Sequence, residues 1–114
     1  MNILLDDPQR VATDGRLAFM SALWFYMYPQ SPKPSMHDAI LGLFETNSID
    51  DDNGICTKCF GTTTNIINGG LECGFDSSKA QKRINYFDDY CDIFGADCPQ
   101  EGKSCATQSS WFSS

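Results

Sequence analysis

Hydrophobic positions crowd into one stretch near the start of the chain. From Arg16 to Tyr28 the sequence runs Leu17, Phe19, Met20, Ala22, Leu23, Trp24, Phe25 and Met27 with almost no polar face. Asp14 stands where a helix N-cap belongs, and Pro29 ends the pattern. A soluble helix that is apolar all round belongs at the centre of a fold, so the sequence places this segment in the core. The ten residues before it read as an extended lead-in, bent at Pro8.

The pattern then breaks up. Gln30-Ser-Pro-Lys-Pro34 is a stiff turn set by two prolines. Ser35 caps a short helix from Met36 to about Phe44, packed through Ile40, Leu41, Leu43 and Phe44. Residues 47–61 form a long polar loop holding Asp50-Asp51-Asp52-Asn53-Gly54 and Cys56-Thr-Lys-Cys59. Thr62 to Gly70 is a short segment stopped by Gly69-Gly70. Ser78-Lys-Ala-Gln81 has the form of a capping box and opens an amphipathic helix. Its apolar line is Ile84, Phe87, Cys91 and Phe94, its C-terminal cap is Gly95, and Asp88, Asp89 and Asp92 fall on solvated faces. The Ser-rich end, residues 106–114, reads as a disordered tail. The whole is mostly α: one domain of helices joined by long loops, without a run of alternating strands.

Charge narrows the partners. With 8 basic against 15 acidic side chains the net charge is −7, which repels phosphate backbones and anionic lipid, so neither nucleic acid nor membrane is an expected partner. A neutral polymer is compatible. The longest apolar run is too short for a span of about 20 residues. All six cysteines lie between Cys56 and Cys105, an even count that suits an oxidising, secretory compartment and leaves the pairing open. No signal peptide is visible before Asp6-Asp7-Pro8, so a secreted chain of this kind is a mature form or a fragment.

Candidate chemistry is sparse. A zinc site built from Cys56, Cys59, Cys98 and Cys105 has the wrong spacing in its second pair, and a disulfide tying down the acidic loop is the better reading. The acidic run lacks the closing Glu of a calcium loop, so no metal and no cofactor is expected. His37, beside a helix N-cap, suits a neutral hydrogen-bonding role. No nucleophile elbow occurs. For acid–base work there are only Glu45, Glu72 and Glu101. Glu72 sits in a tight run of amides and apolar residues, with Arg83 on the next helix as its natural ionic partner, and a structural pair is the stronger reading.

Several segments occur together in one family. Ala22-Leu-Trp-Phe-Tyr-Met27, Pro29-Gln-Ser-Pro-Lys-Pro-Ser35, His37-Asp38, Thr64-Asn-Ile-Ile-Asn-Gly-Gly-Leu-Glu-Cys-Gly74, Arg83-Ile84 and Tyr90-Cys-Asp92 stand in the order found in plant-type chitinases of glycoside hydrolase family 19. The lead-in Asp7-Pro-Gln-Arg-Val-Ala-Thr-Asp14 resembles theirs too, so the likeness runs from about residue 4 to Cys105. It implies the C-terminal portion of a lysozyme-like helical fold that hydrolyses β-1,4 links between N-acetylglucosamine units with inversion. Inversion needs one carboxyl to protonate the leaving oxygen and a second to activate water. In the family the acid lies in a His-Glu-Thr-Thr motif and the base near a Tyr-Tyr-Gly-Arg-Gly stretch; neither occurs here, so no catalytic residue is assigned.

What the resemblance does carry over is a binding wall for chitin or chito-oligosaccharides. Gln30 and Lys33 match residues that hydrogen-bond the N-acetyl sugars, Ile67 and Asn68 match the pair lining the cleft, and Glu72 and Arg83 match a polar network beneath the catalytic base. Cys73 and Cys105 match positions that pair, while Cys91 matches one often left free. Cys56, Cys59 and Cys98 are extra, and a bridge from Cys98 to the loop pair is expected. Met36 replaces the usual Ser or Cys before His37. The expected function is chitinase-like sugar binding without cleavage by the isolated chain, against an alternative as a secreted chitin-binding or interaction module. The apolar helix at Arg16–Tyr28 would then be a surface for self-association or for the other half of the family's domain.

Overall fold

Local capping decides where most of the helices begin. The computed structural model describes residues 6–111 of the 114-residue chain. Its elements are α1 (Arg10–Thr13), α2 (Gly15–Met27), α3 (Met36–Leu41), α4 (Ser48–Asp52), α5 (Phe60–Glu72) and α6 (Ser78–Phe94). Among the described residues there is no strand, only an isolated bridge between Gln30 and Lys33. Asp14 caps α2, its carboxylate accepting from the amides of Arg16 and Leu17 at 3.0 and 3.3 Å. Ser35 caps α3 through the Asp38 amide at 3.1 Å. That helix stops at Leu41, short of Phe44, because Gly42 takes a left-handed φ of 72°. Part of the expected lead-in is helical as α1; residues 1–5 lie outside the described residues.

The acidic loop is more ordered than its composition predicts. Asn47 and Asp50 form a reciprocal capping box, with Asp50 N to Asn47 Oδ1 at 2.9 Å and Asn47 N to Asp50 Oδ2 at 3.3 Å. Acidic side chains in this first turn also suit the positive end of the helix dipole. The segment expected at Thr62–Gly70 is the longer α5, which runs past both glycines to Glu72 and is broken by non-helical torsions at Asn68. α6 is capped by Ser77, one residue earlier than expected, and ends at Gly95 with φ 61°.

The core sits elsewhere than the hydrophobic pattern suggests. Met36, Ala39 and Ile66, from α3 and α5, form the buried cluster, with Phe25, Tyr26, Phe44 and Trp111 packed around it. No residue of α2 is buried; only one side of the helix is covered, by α1 and α3. Phe19, Met20, Leu23, Trp24 and Met27 face outward. Uniform apolarity states that a helix needs neighbours on every side, and this chain supplies one. On α6, Ala80 and Ile84 are buried and Phe87 stacks on Phe60 with ring centroids 4.3 Å apart, but Phe94 is exposed. Asp88, expected in solvent, pairs with Lys103 Nζ at 2.9 Å.

All six cysteines are bridged: Cys56–Cys59, Cys73–Cys105 and Cys91–Cys98. This corrects the expected link between Cys98 and the loop pair, and the expectation of a free Cys91. The left-handed Gly95 reverses the chain at the end of α6 and brings Cys98 back to Cys91, Cα to Cα 6.2 Å. The tail is corrected as well. Gln108 is 2% exposed, and Trp111 Nε1 donates to Asp50 Oδ1 at 3.1 Å. Residues 105–111 are a strap laid against α5, and residues 112–114 lie outside the described residues.

Candidate binding wall

Two pieces of backbone meet to make the site. The first is the proline turn, in which Ser31-Pro32 is cis and Lys33 N donates to Gln30 O at 2.8 Å. Gln30 is exposed at its edge, while the Lys33 stem is partly covered. Burial lowers the Lys33 pKa from its ordinary value. The second piece is the break in α5. Asn68 adopts φ −153°, ψ 36°, which interrupts the helical ladder. Just before the break, the Ile66 carbonyl accepts from Lys33 Nζ at 2.9 Å. That bond fastens turn to helix across 33 residues of sequence.

Glu72 lies one turn beyond the break and is 1% exposed. Both of its oxygens are taken. Arg83 Nε donates to Oε1 at 2.8 Å, Arg83 Nη2 to Oε2 at 3.0 Å, and Asn68 Nδ2 to Oε2 at 2.6 Å. The Arg83 hydrogen bonds hold the Glu72 carboxyl below its ordinary pKa; burial opposes this, and the Asn68 bond adds to the lowering. Three donors on one carboxylate favour its ionised form. The carboxylate holds the Asn68 amide nitrogen, so Asn68 Oδ1 points the other way. Ile67, beside it, is exposed and offers an apolar surface.

The structure thus joins Asn68, Glu72 and Arg83 by hydrogen bonds and ties Lys33 to the same helix through the Ile66 carbonyl, with Gln30 and Ile67 exposed beside them. Sequence reasoning missed the support behind them. Thr62, Asn65 and Gln108 form a buried amide-and-hydroxyl cluster, and a single Gln in a Ser-rich tail gave no signal for it. Among the described residues no group of three or more His, Cys, Asp or Glu side chains is placed to hold a metal ion. No described helix is long and apolar enough to cross a membrane.

The site is a helical, disulfide-stitched scaffold that presents amides and one ammonium beside an ion-paired carboxylate. The family follows from comparison. The model of chitinase class I, glycoside hydrolase family 19, matches residues 2–105, and the chain belongs to that family. It is 47% identical over 109 residues to Endochitinase 1 of Solanum tuberosum, covering 95% of this chain and 34% of that protein. It is 54% identical over 93 residues to Endochitinase A2 of Pisum sativum, covering 81% and 28%. With Endochitinase B of Nicotiana tabacum it shares 48% over 109 residues, covering 95% and 33%. The chain spans about a third of the length of these curated relatives.

Proposed function

We propose that this chain is a chitin-binding portion of a family 19 chitinase, holding β-1,4-linked N-acetylglucosamine along Gln30, Lys33, Ile67 and Asn68 while Glu72 and Arg83 brace the wall from beneath. The observation that carries this reading is the Lys33 Nζ to Ile66 O bond, which turns two distant segments into one surface. Amides, an ammonium and an exposed aliphatic side chain suit neutral hydroxyl and acetamido groups, and a net charge of −7 is no obstacle to an uncharged polymer. Hydrolysis with inversion requires two carboxyls free to exchange protons, and Glu72 is committed to Arg83. The isolated 114-residue chain therefore binds without cutting. An NMR amide titration with a chitin hexamer tests this. Shifts at Gln30, Lys33, Asn68 and Arg83 with an intact hexamer are expected; robust cleavage, or shifts confined to other residues, overturns the reading. Three disulfides support an extracellular setting.

A second reading concerns the outward side of α2, where Phe19 is 67% exposed. A contiguous apolar face of this kind favours association. Alone in solution the chain is expected to self-associate through it. Sedimentation velocity across a concentration series checks the point: Leu23→Glu with Trp24→Glu should give a monomer, and a wild-type chain monomeric throughout refutes the reading.

A further inference from the structure

The start of α5 is polar where a packed helix is ordinarily apolar. Thr62, Thr63, Thr64 and Asn65 are all buried, so each needs a partner inside the protein, and Thr62 and Asn65, three residues apart, share the face turned to the strap. The strap at residues 105–111 supplies much of what is needed. Gln108 Nε2 donates to Thr62 Oγ1 at 3.3 Å, and Gln108 Oε1 accepts from Asn65 Nδ2 at 3.1 Å. Asn65 Nδ2 also donates to the Ser109 carbonyl at 3.0 Å. These bonds use the whole amide nitrogen of Asn65 and fix which way its side chain faces.

The other end of that amide is the informative one. Asn65 Oδ1 is buried and has no hydrogen-bond partner among the described residues. It lies against Gly69, so closely that a Cβ at that position would overlap it. Gly69 immediately follows Asn68, the residue whose torsions break α5. An unpartnered buried oxygen is costly, and its retention beside the break calls for a reason. Packing supplies one: the oxygen fills the space that the glycine leaves open and wedges the helix at its kink.

We propose that Gln108 and Asn65 are positioning residues for the binding wall. The strap pins Asn65, Asn65 wedges Gly69, and the broken helix turns Asn68 onto Glu72. The inference deepens the binding reading above and rests on it for its functional consequence. Cys73–Cys105 and the Trp111–Asp50 bond hold the strap at both ends, so truncating Gln108 alone should leave the chain folded.

The experiment compares wild type with Gln108→Ala by NMR, first without sugar and then with chitin hexamer. In the sugar-free variant the Asn68 side-chain amide signal should move toward that of a solvated amide, while the Trp111 indole N–H signal stays in place. Affinity for the hexamer should fall about tenfold, the loss for one misplaced hydrogen-bonding group. A folded variant with unchanged Asn68 signals and affinity overturns the proposal. If Gln108→Ala unfolds, Gln108→Asn shortens the reach by one methylene and is read the same way; an unmoved Asn68 amide there is equally fatal. Failure of wild type to bind the hexamer would sink the binding reading alone, because the sugar-free Asn68 signal still decides the positioning role.

Discussion

Replacing Arg83 by Ala should destabilise the protein by about 3 kcal/mol, the scale for stranding one partner of a buried ion pair. Glu72 is 1% exposed and would keep its desolvation penalty while losing two of its three donors. The cost is not at the top of the range because the Arg83 side chain is itself 38% exposed, so water can reach part of the gap. The pH dependence should change as well. In wild type the folded Glu72 pKa is lowered, so the pair's stabilisation is present above the ordinary value of 4.5 and fades as pH falls through the lowered value. Without Arg83 the largest lowering influence is gone and burial still pushes the Glu72 pKa up against Asn68 and Lys79, so the variant should lose less stability in acid than at neutral pH. Urea unfolding followed by circular dichroism from pH 3 to pH 7 measures both. A double change of Glu72 and Arg83 to Met should cost less than Arg83→Ala alone. If Arg83→Ala matched wild type at every pH, the ion pair would be ornamental.

Loss of the Cys73–Cys105 bridge should be of similar size. It closes 32 residues of sequence, which in the chain-entropy picture constrains the unfolded state by about 3–4 kcal/mol. Cys91–Cys98 closes 7 and Cys56–Cys59 only 3, so paired Ser substitutions there should cost less, in that order. The long bridge also has a local role, because it ties the end of α5, directly after Glu72, to the start of the strap. Its removal should therefore weaken hexamer binding, whereas opening Cys91–Cys98 should not. Thermal melts and titrations of the three double-Ser variants give the ranking; equal losses from all three would contradict it.

How much of this could be read in advance depended on the range of the interaction. Asp14, Ser35 and Gly95 were legible because a cap is decided within four residues. The Ser77 cap was misplaced by one because Ser77 and Ser78 are chemically the same, and only backbone torsions separate them. The Glu72–Arg83 pair was legible from charge and the helix that follows, but the Asn68 break was not, since Asn is tolerated in a helix and nothing local forbids continuation. α2 was misplaced for a different reason. Its composition reports a demand for burial and says nothing of whether this chain meets it. The strap was unreadable because Gln108 among serines has the composition of a solvated end, and its burial depends on a polar helix face 43 residues away.

The three bridges all fall at or after Cys56, and this divides the wall by covalent standing. α5 and α6 belong to the cross-linked part. The turn with Gln30 and Lys33 belongs to a leading part held only by packing and by hydrogen bonds such as Lys58 N to Ala39 O and Lys33 Nζ to Ile66 O. No bridge joins the two parts, which meet through the Met36, Ala39 and Ile66 cluster, so α1–α3 are expected to exchange their amide hydrogens faster than the cross-linked part. A sugar lying across the turn and the kink touches both. It would act as a removable staple, slowing exchange in helices it never contacts.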